Sequence, residues 1–458
     1  MLERVSDFFM IVAAAGILGI GTPAYCQNPA PAQSAAPAQS SAQPAKKNWK
    51  DRAEYDLYDS IIKETDPNKR LALLNTWKEK YPTSDYSTER LQIYLTTYSS
   101  LHQADKVIST GNELLQKDPN NLTALVLVSS NVQALTKPTP EDLSSAEKAA
   151  NALVSNIDTF FAPDKKPAST SDADWTKAKN QTEALAHTTL GWIAMQKKDP
   201  DDAQKAEQEF TKVLQMNPNS AQVAFWLGTA IMQEKKPERY SEALYQFARA
   251  ASLDPSQGGF PADARKTIDT YFVNAYNRYH GQDDAGLKQL RDMAKAQPFP
   301  PSGFKIKDVN EVKAENEEEF RKKNPALALW MNLKQALTAP DGEQYFSNNM
   351  KGAAVPGGAG GVEKFKGKLL SSKPTLHPKE LVLSISDGTT PEVTLIMDAP
   401  LPGKAEPGIE LEFSGVPTSF TKEPFNVTFD VEKKNLVGWP KEAAPVHHRP
   451  ARKRATKG

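Results

Sequence analysis

A block of five residues occurs twice, and the distance between its copies constrains the fold more than any other feature. Leu190, Gly191, Ala206, Phe210 and Pro218 return as Leu227, Gly228, Ala243, Phe247 and Pro255, each pair 37 positions apart. A period of this length marks arrays of small units, none of which can bury its apolar face without a neighbour. Leu190 and Ala194 are four apart, and Ala206, Phe210 and Val213 keep helical spacing, so one copy reads as two packed helices. Gly191 lets their backbones approach closely. Pro218 and Pro255 follow the second helix, which a residue lacking a backbone N–H cannot continue.

The order Leu-Gly, Ala, Phe, Pro resembles the tetratricopeptide repeat, a helix-turn-helix unit of 34 residues that stacks into a superhelix. Here Gly191 to Ala206 and Gly228 to Ala243 are each 15 positions apart, about three more than in the family. The turns Lys198-Asp199-Pro200 and Lys236-Pro237-Glu238 have the chemistry to absorb that insertion. The resemblance implies a scaffold that binds proteins and is not an enzyme, with the first helices lining a groove. Carried over residue by residue, the peptide-binding set is Thr188, Trp192, Met195 and Gln196, then Phe225, Thr229, Met232 and Gln233. Trp and Met there suit apolar peptide capture, although Trp192 and Phe225 would also serve to pack neighbouring repeats. The Lys and Asn pattern by which one subgroup clamps C-terminal carboxylates is missing from these positions.

Degenerate pairs extend the array. Tyr55 to Pro82 and Leu91 to Pro119 end on prolines again 37 apart, and further pairs follow around Leu122 to Phe160 and Ala262 to Ala296. About six helix pairs are expected over residues 48–298. Residues 299–361 read as a helical connector ending in a Gly-rich hinge. Over 362–440 the apolar period changes from helical to two, giving strands at Phe365, Leu381, Val393, Ile409 and Phe425. The expected fold class is therefore α+β and multidomain, an α-solenoid of helix pairs followed by a small five-stranded antiparallel OB-like β-barrel. This last module resembles one found in some exported bacterial tetratricopeptide proteins, a likeness that brings no activity with it.

An alternative function is carbohydrate or nucleic-acid binding through that barrel and a basic tail. Charge speaks against nucleic acid: Val362 to Pro440 holds nine Lys and no Arg against eleven Asp and Glu. Phe365, Phe413, Phe425 and Phe429 also sit at core-like positions in their strands. The tail, 441–458, carries Arg449, Arg452, Lys453 and Arg454, which could contact an anionic surface.

At the other end, Phe8 to Gly21 is an apolar run followed by small residues, so 1–24 reads as a signal peptide and the destination as the periplasm or cell envelope. The run is short of the about 20 residues needed to span a bilayer. Residues 25–47 are Pro, Ala, Gln and Ser-rich and read as a disordered linker. Cys26 is the one cysteine, which rules out an intramolecular disulfide; its lipidation is the alternative fate, disfavoured by Tyr25 before it. A formal net charge of zero favours no polyanion as partner for the whole chain. The histidines have no partners at metal-ligand spacing, and neither cofactor nor catalytic set is expected.

Overall fold

Twelve helices in six consecutive hairpins follow from these patterns in the computed structural model, which describes residues 47–440. The chain divides into two compact units, one up to Ile306 and one from Lys307 onward. The leader, the linker apart from Lys47, Cys26 and the basic tail lie outside the described residues.

In the first unit the hairpins are α1 (Arg52–Lys63) with α2 (Pro67–Lys80), α3 (Ser87–Ser100) with α4 (Ala104–Lys117), and α5 (Leu122–Asn131) with α6 (Pro140–Phe160). There follow α7 (Asp172–Gln196) with α8 (Pro200–Met216), α9 (Ala221–Gln233) with α10 (Tyr240–Ser252), and α11 (Ala262–Tyr279) with α12 (Asp284–Ala296). Side chains of Asp51, Asp66, Asn121, Thr139, Ser171, Asp199, Ser220 and Asp283 accept from first-turn N–H groups, so most starts are capped by the residue types that do this best. Pro67, Pro140 and Pro200 occupy first-turn positions, where the missing N–H costs nothing.

The repeated glycines do what the spacing implies. A Cβ on Gly191 would lie 2.7 Å from Cε1 of Phe210, and one on Gly228 would lie 2.7 Å from Cε1 of Phe247. Each phenylalanine, fully buried, fills the space that the facing helix leaves open. The added residues lie in the turns: Lys198 and Lys235, again 37 apart, adopt left-handed φ of 56° and 58°, and a single 3-10 turn at Pro237–Arg239 leads into α10. One apolar core runs from Ala194 through α8, α9 and α10 to Ala294.

A polar seam closes the end of this unit. From α10, Tyr245 Oη donates to the carbonyls of Met293 and Gln297, and Gln246 Nε2 donates to Pro298 O. The Ser241 hydroxyl accepts from the Ile306 N–H at 3.0 Å. Arg249, 1% exposed, donates to Ala294 O at 2.6 Å, Gln297 O at 2.8 Å and Pro218 O at 2.7 Å.

The second unit contains α13 (Val309–Lys323), α14 (Pro325–Thr338), α15 (Gly342–Asn349) and seven strands. These are β1 (Phe365–Lys373), β2 (Glu380–Ser384), β3 (Val393–Met397), β4 (Glu410–Phe413), β5 (Val416–Lys422), β6 (Phe425–Val431) and β7 (Leu436–Val437). The expectation of a five-stranded antiparallel barrel is corrected here: one seven-stranded sheet runs in the order β5-β6-β3-β2-β1-β4-β7, and it is mixed, because β3 and β6 pair in parallel. The five strands read from alternation are all present. Strand β5 escaped that reading because it is an edge strand with Pro417 inside it, a register shift between Pro417 and Ser419, and little apolar alternation. Alternation reports that a strand exists and which face is buried, but not the direction of its partner.

Trp330, Leu333 and Leu337 from α14 and Phe346 from α15 share one core with Phe365, Phe413 and Phe429 of the sheet. The stretch 299–361 therefore contributes helices that cover the sheet. With Phe365, Phe413 and Phe429 at 0% exposure, these rings hold the core and present no stacking surface for bases. Glu392, 1% exposed, fastens helix to sheet by accepting from Lys334 Nζ at 2.6 Å, Ile385 N at 2.9 Å and Ser386 N at 2.7 Å.

Candidate functional site

The eight residues expected to line a groove lie on two helices at matching steps. Thr188, Trp192, Met195 and Gln196 form one stripe of α7, and Phe225, Thr229, Met232 and Gln233 form the equivalent stripe of α9. Their surroundings divide them. Phe225 is 6% exposed, with its ring centroid 5.5 Å from those of Phe247 and Tyr271, so it joins successive hairpins. Met195 is likewise buried. Trp192 is half-buried, packed against the core that contains Phe210 and against a smaller cluster around Ile108, Val132, Ala146 and Ile193.

The rest of the stripe is more open. Gln196 is exposed, and Thr188, Thr229, Met232 and Gln233 are half-buried. Both threonine hydroxyls are spent on their own helix, Thr188 donating to Ala184 O at 2.7 Å and Thr229 to Phe225 O at 2.9 Å. The amides are not: Gln233 Oε1 and, three turns earlier on α9, Gln222 Nε2 have no hydrogen-bond partner although both atoms are buried. Buried polar atoms are almost always paired, so these two are unused hydrogen-bonding capacity on an otherwise apolar face. Gln222 was not singled out from the sequence; its signal was its position one turn before Phe225 on the same face.

Beside this face lies a charged cluster that the sequence did not reveal. Arg239 donates to Glu207 at 2.6 Å and 2.7 Å, to both oxygens of Glu234 at 3.0 Å, and to Glu242, while Lys236 lies 3.1 Å from Glu234. Burial pushes the Glu234 carboxyl up and the adjoining Glu207 carboxylate adds to this, whereas for Glu207 burial is outweighed by Arg239, which holds it down. With its charges mutually satisfied the cluster joins α8 to the α9–α10 turn, a positioning role with no open coordination. His187, buried on α7, pairs through Nδ1 with Glu209 of α8 and is also a packing residue. Among the described residues there is no group of three or more His, Cys, Asp or Glu able to hold a metal ion, and no helix is long and apolar enough to cross a membrane.

No family model matches the chain, and no curated protein matches it. Among solved structures, an assembly chaperone of RpL4, Acl4, aligns with 53% of this chain and 95% of its own at 15% identity and a TM-score of 0.38. A thermophilic TPR protein of Thermus thermophilus aligns with 49% of this chain and 95% of its own at 16% identity and a TM-score of 0.26.

Proposed function

We propose that the helical unit is a nonenzymatic scaffold that binds a protein or peptide along the α7–α9 face, in a chain exported to the cell envelope. The observation that carries this is the repeated stripe itself. Equivalent positions on two successive hairpins present Gln196 with Met232 and Gln233 at the helix ends, beside the half-buried Trp192. Large adaptable apolar side chains next to amides with spare donors and acceptors suit an extended peptide, whose backbone needs both. The apolar run Phe8 to Gly21 supports export.

Because Trp192 and Phe225 also hold the core together, truncating them would confound binding with folding. The discriminating variant is Gln196→Arg with Met232→Arg, two changes at the more open end of the stripe. Partners cross-linked to the wild-type chain in envelope extract should be lost from this variant while its circular dichroism and thermal midpoint stay unchanged. Retention of every partner by the folded double variant refutes the groove assignment.

A further inference from the structure

Residues Lys47-Asn48-Trp49-Lys50 precede Asp51, the cap of α1, and run without helix or strand. Most of what holds them is far away in sequence. The Asn48 N–H donates to Asp85 Oδ2 at 3.1 Å, and the Tyr86 hydroxyl donates to the Lys47 carbonyl at 3.3 Å. The Lys47 ammonium pairs with Glu89, and that of Lys50 lies 3.4 Å from Asp85. Between the two lysines the Trp49 indole stacks on Tyr86, centroids 3.7 Å apart and planes 14° apart. Tyr58 at 5.1 Å, Tyr55 at 5.7 Å and Trp77 at 6.2 Å complete an aromatic box.

Each chemical feature of the strap meets its complement: N–H to carboxylate, ammonium to carboxylate, indole to four rings. The receiving surface shares one polar anchor with the strap, Glu54 Oε2 accepting from the Lys50 N–H at 2.7 Å, and has further contacts of its own within α1 to α3. Trp77 is fully buried with its indole N–H donating to Glu54 Oε1 at 2.9 Å, and Arg90 fixes the end of α2 by donating to Trp77 O and Tyr81 O. Glu89 retains a second oxygen, Oε2, that is buried and unpartnered. Such a set of contacts is how a surface holds a short peptide, here joined to it by one covalent link.

We propose that the surface of α1 to α3 around Tyr58, Trp77, Tyr86, Asp85 and Glu89 recognises a peptide segment carrying an aromatic residue flanked by lysines, and that Lys47–Lys50 occupies it in cis. This surface is distinct from the α7–α9 face and does not depend on it. A tethered occupant competes at high effective concentration, so a free segment of the same chemistry sees only the fraction of molecules in which the strap is off.

The test uses the full chain and a fluorescein-labelled peptide of residues 45–51, followed by anisotropy. The peptide should bind the Trp49→Ala chain at least ten-fold more tightly than wild type. Adding Tyr86→Ala should abolish that gain, and raising salt from 0.05 to 0.5 M should weaken binding at least three-fold, because the ion pairs are half-exposed. Hydrogen exchange across α1 to α3 is measured alongside. If Trp49→Ala loosens these helices, the peptide should restore their protection, and failure to do so overturns the proposal. Equal binding to wild type and variant, or none to a variant whose α1 to α3 remain protected, also overturns it and leaves the strap as an end cap.

Discussion

Replacing Arg249 by Met should cost the helical unit about 2–3 kcal/mol, a large effect for a residue with no carboxylate partner. The guanidinium is 1% exposed, and burial holds its pKa below the ordinary arginine value. In place of a counter-ion it has carbonyls: Ala294, Lys295 and Gln297 at the C-terminal end of α12, and Pro218 after α8. The last carbonyls of a helix have no intrahelical partner and carry the negative end of its dipole, so one cation among them acts as cap and counter-charge together. Met keeps the apolar stem and removes the desolvation cost of the charge, which leaves the stranded acceptors as the main loss. Three contacts are short, at 2.6, 2.7 and 2.8 Å. Gln297 O keeps the Tyr245 hydroxyl, so Ala294 O and Pro218 O are the two that lose a close donor, and at about 1–1.5 kcal/mol for each unpaired buried carbonyl the loss is about 2–3 kcal/mol. Because repeat arrays distribute stability by nearest-neighbour contacts, the damage should concentrate in the last two hairpins. Urea unfolding by far-UV circular dichroism gives the total, and hydrogen exchange of α12 gives the location. Lys288→Met serves as control: its pair with Asp292 is 80% and 69% exposed and should contribute under about 0.5 kcal/mol. A loss below about 1 kcal/mol with unchanged α12 protection would refute the capping role.

Gly191→Ala and Gly228→Ala should each destabilise by about 1–3 kcal/mol in the same urea assay, since the new methyl overlaps Phe210 or Phe247 in a filled core. Lys198→Gly and Lys235→Gly should each raise stability by about 0.5 kcal/mol, the ~1 kcal/mol relief of left-handed backbone less the added freedom of the unfolded chain. In the sheet unit, burial pushes the Glu392 carboxyl up, but Lys334 and the N–H groups of Ser386 and Ile385 push harder the other way, so it titrates below the usual range. Its contribution is therefore present above the unfolded glutamate pKa of about 4.3 and is lost as pH falls through the lower folded value. Glu392→Gln should cost about 2–4 kcal/mol at pH 7 and flatten the acid limb of a stability-against-pH curve, whereas an unchanged limb would assign acid sensitivity to other groups.

Legibility followed the range of the interactions. The hairpins around Gly191 and Gly228 could be read because capping residues, prolines and apolar spacing act within a few residues of one another. The stripe expected to line a groove could be placed on its helices for the same reason, but which of its members remained open could not. Trp192, Phe225 and Met195 turn inward because neighbouring hairpins meet there. Arg239 with Glu207, Arg249 with its carbonyls, and Trp49 on Tyr86 join residues about 30 or more positions apart, and no local pattern announces such pairs.

The sequence alone determined that the chain begins its described part as an array of helix pairs with close Gly–Phe contacts and continues as alternating strands, since periods of 3.6 and 2 are properties of the backbone. Tertiary structure decided the rest. It paired β3 with β6 in parallel, placed β5 and β7 at the sheet edges, brought α14 and α15 over the core, and chose which residues of the α7 and α9 stripes stay accessible. Those outcomes depend on which buried faces meet across long stretches of chain, and the free energy of that choice resides in contacts between segments, outside any one of them.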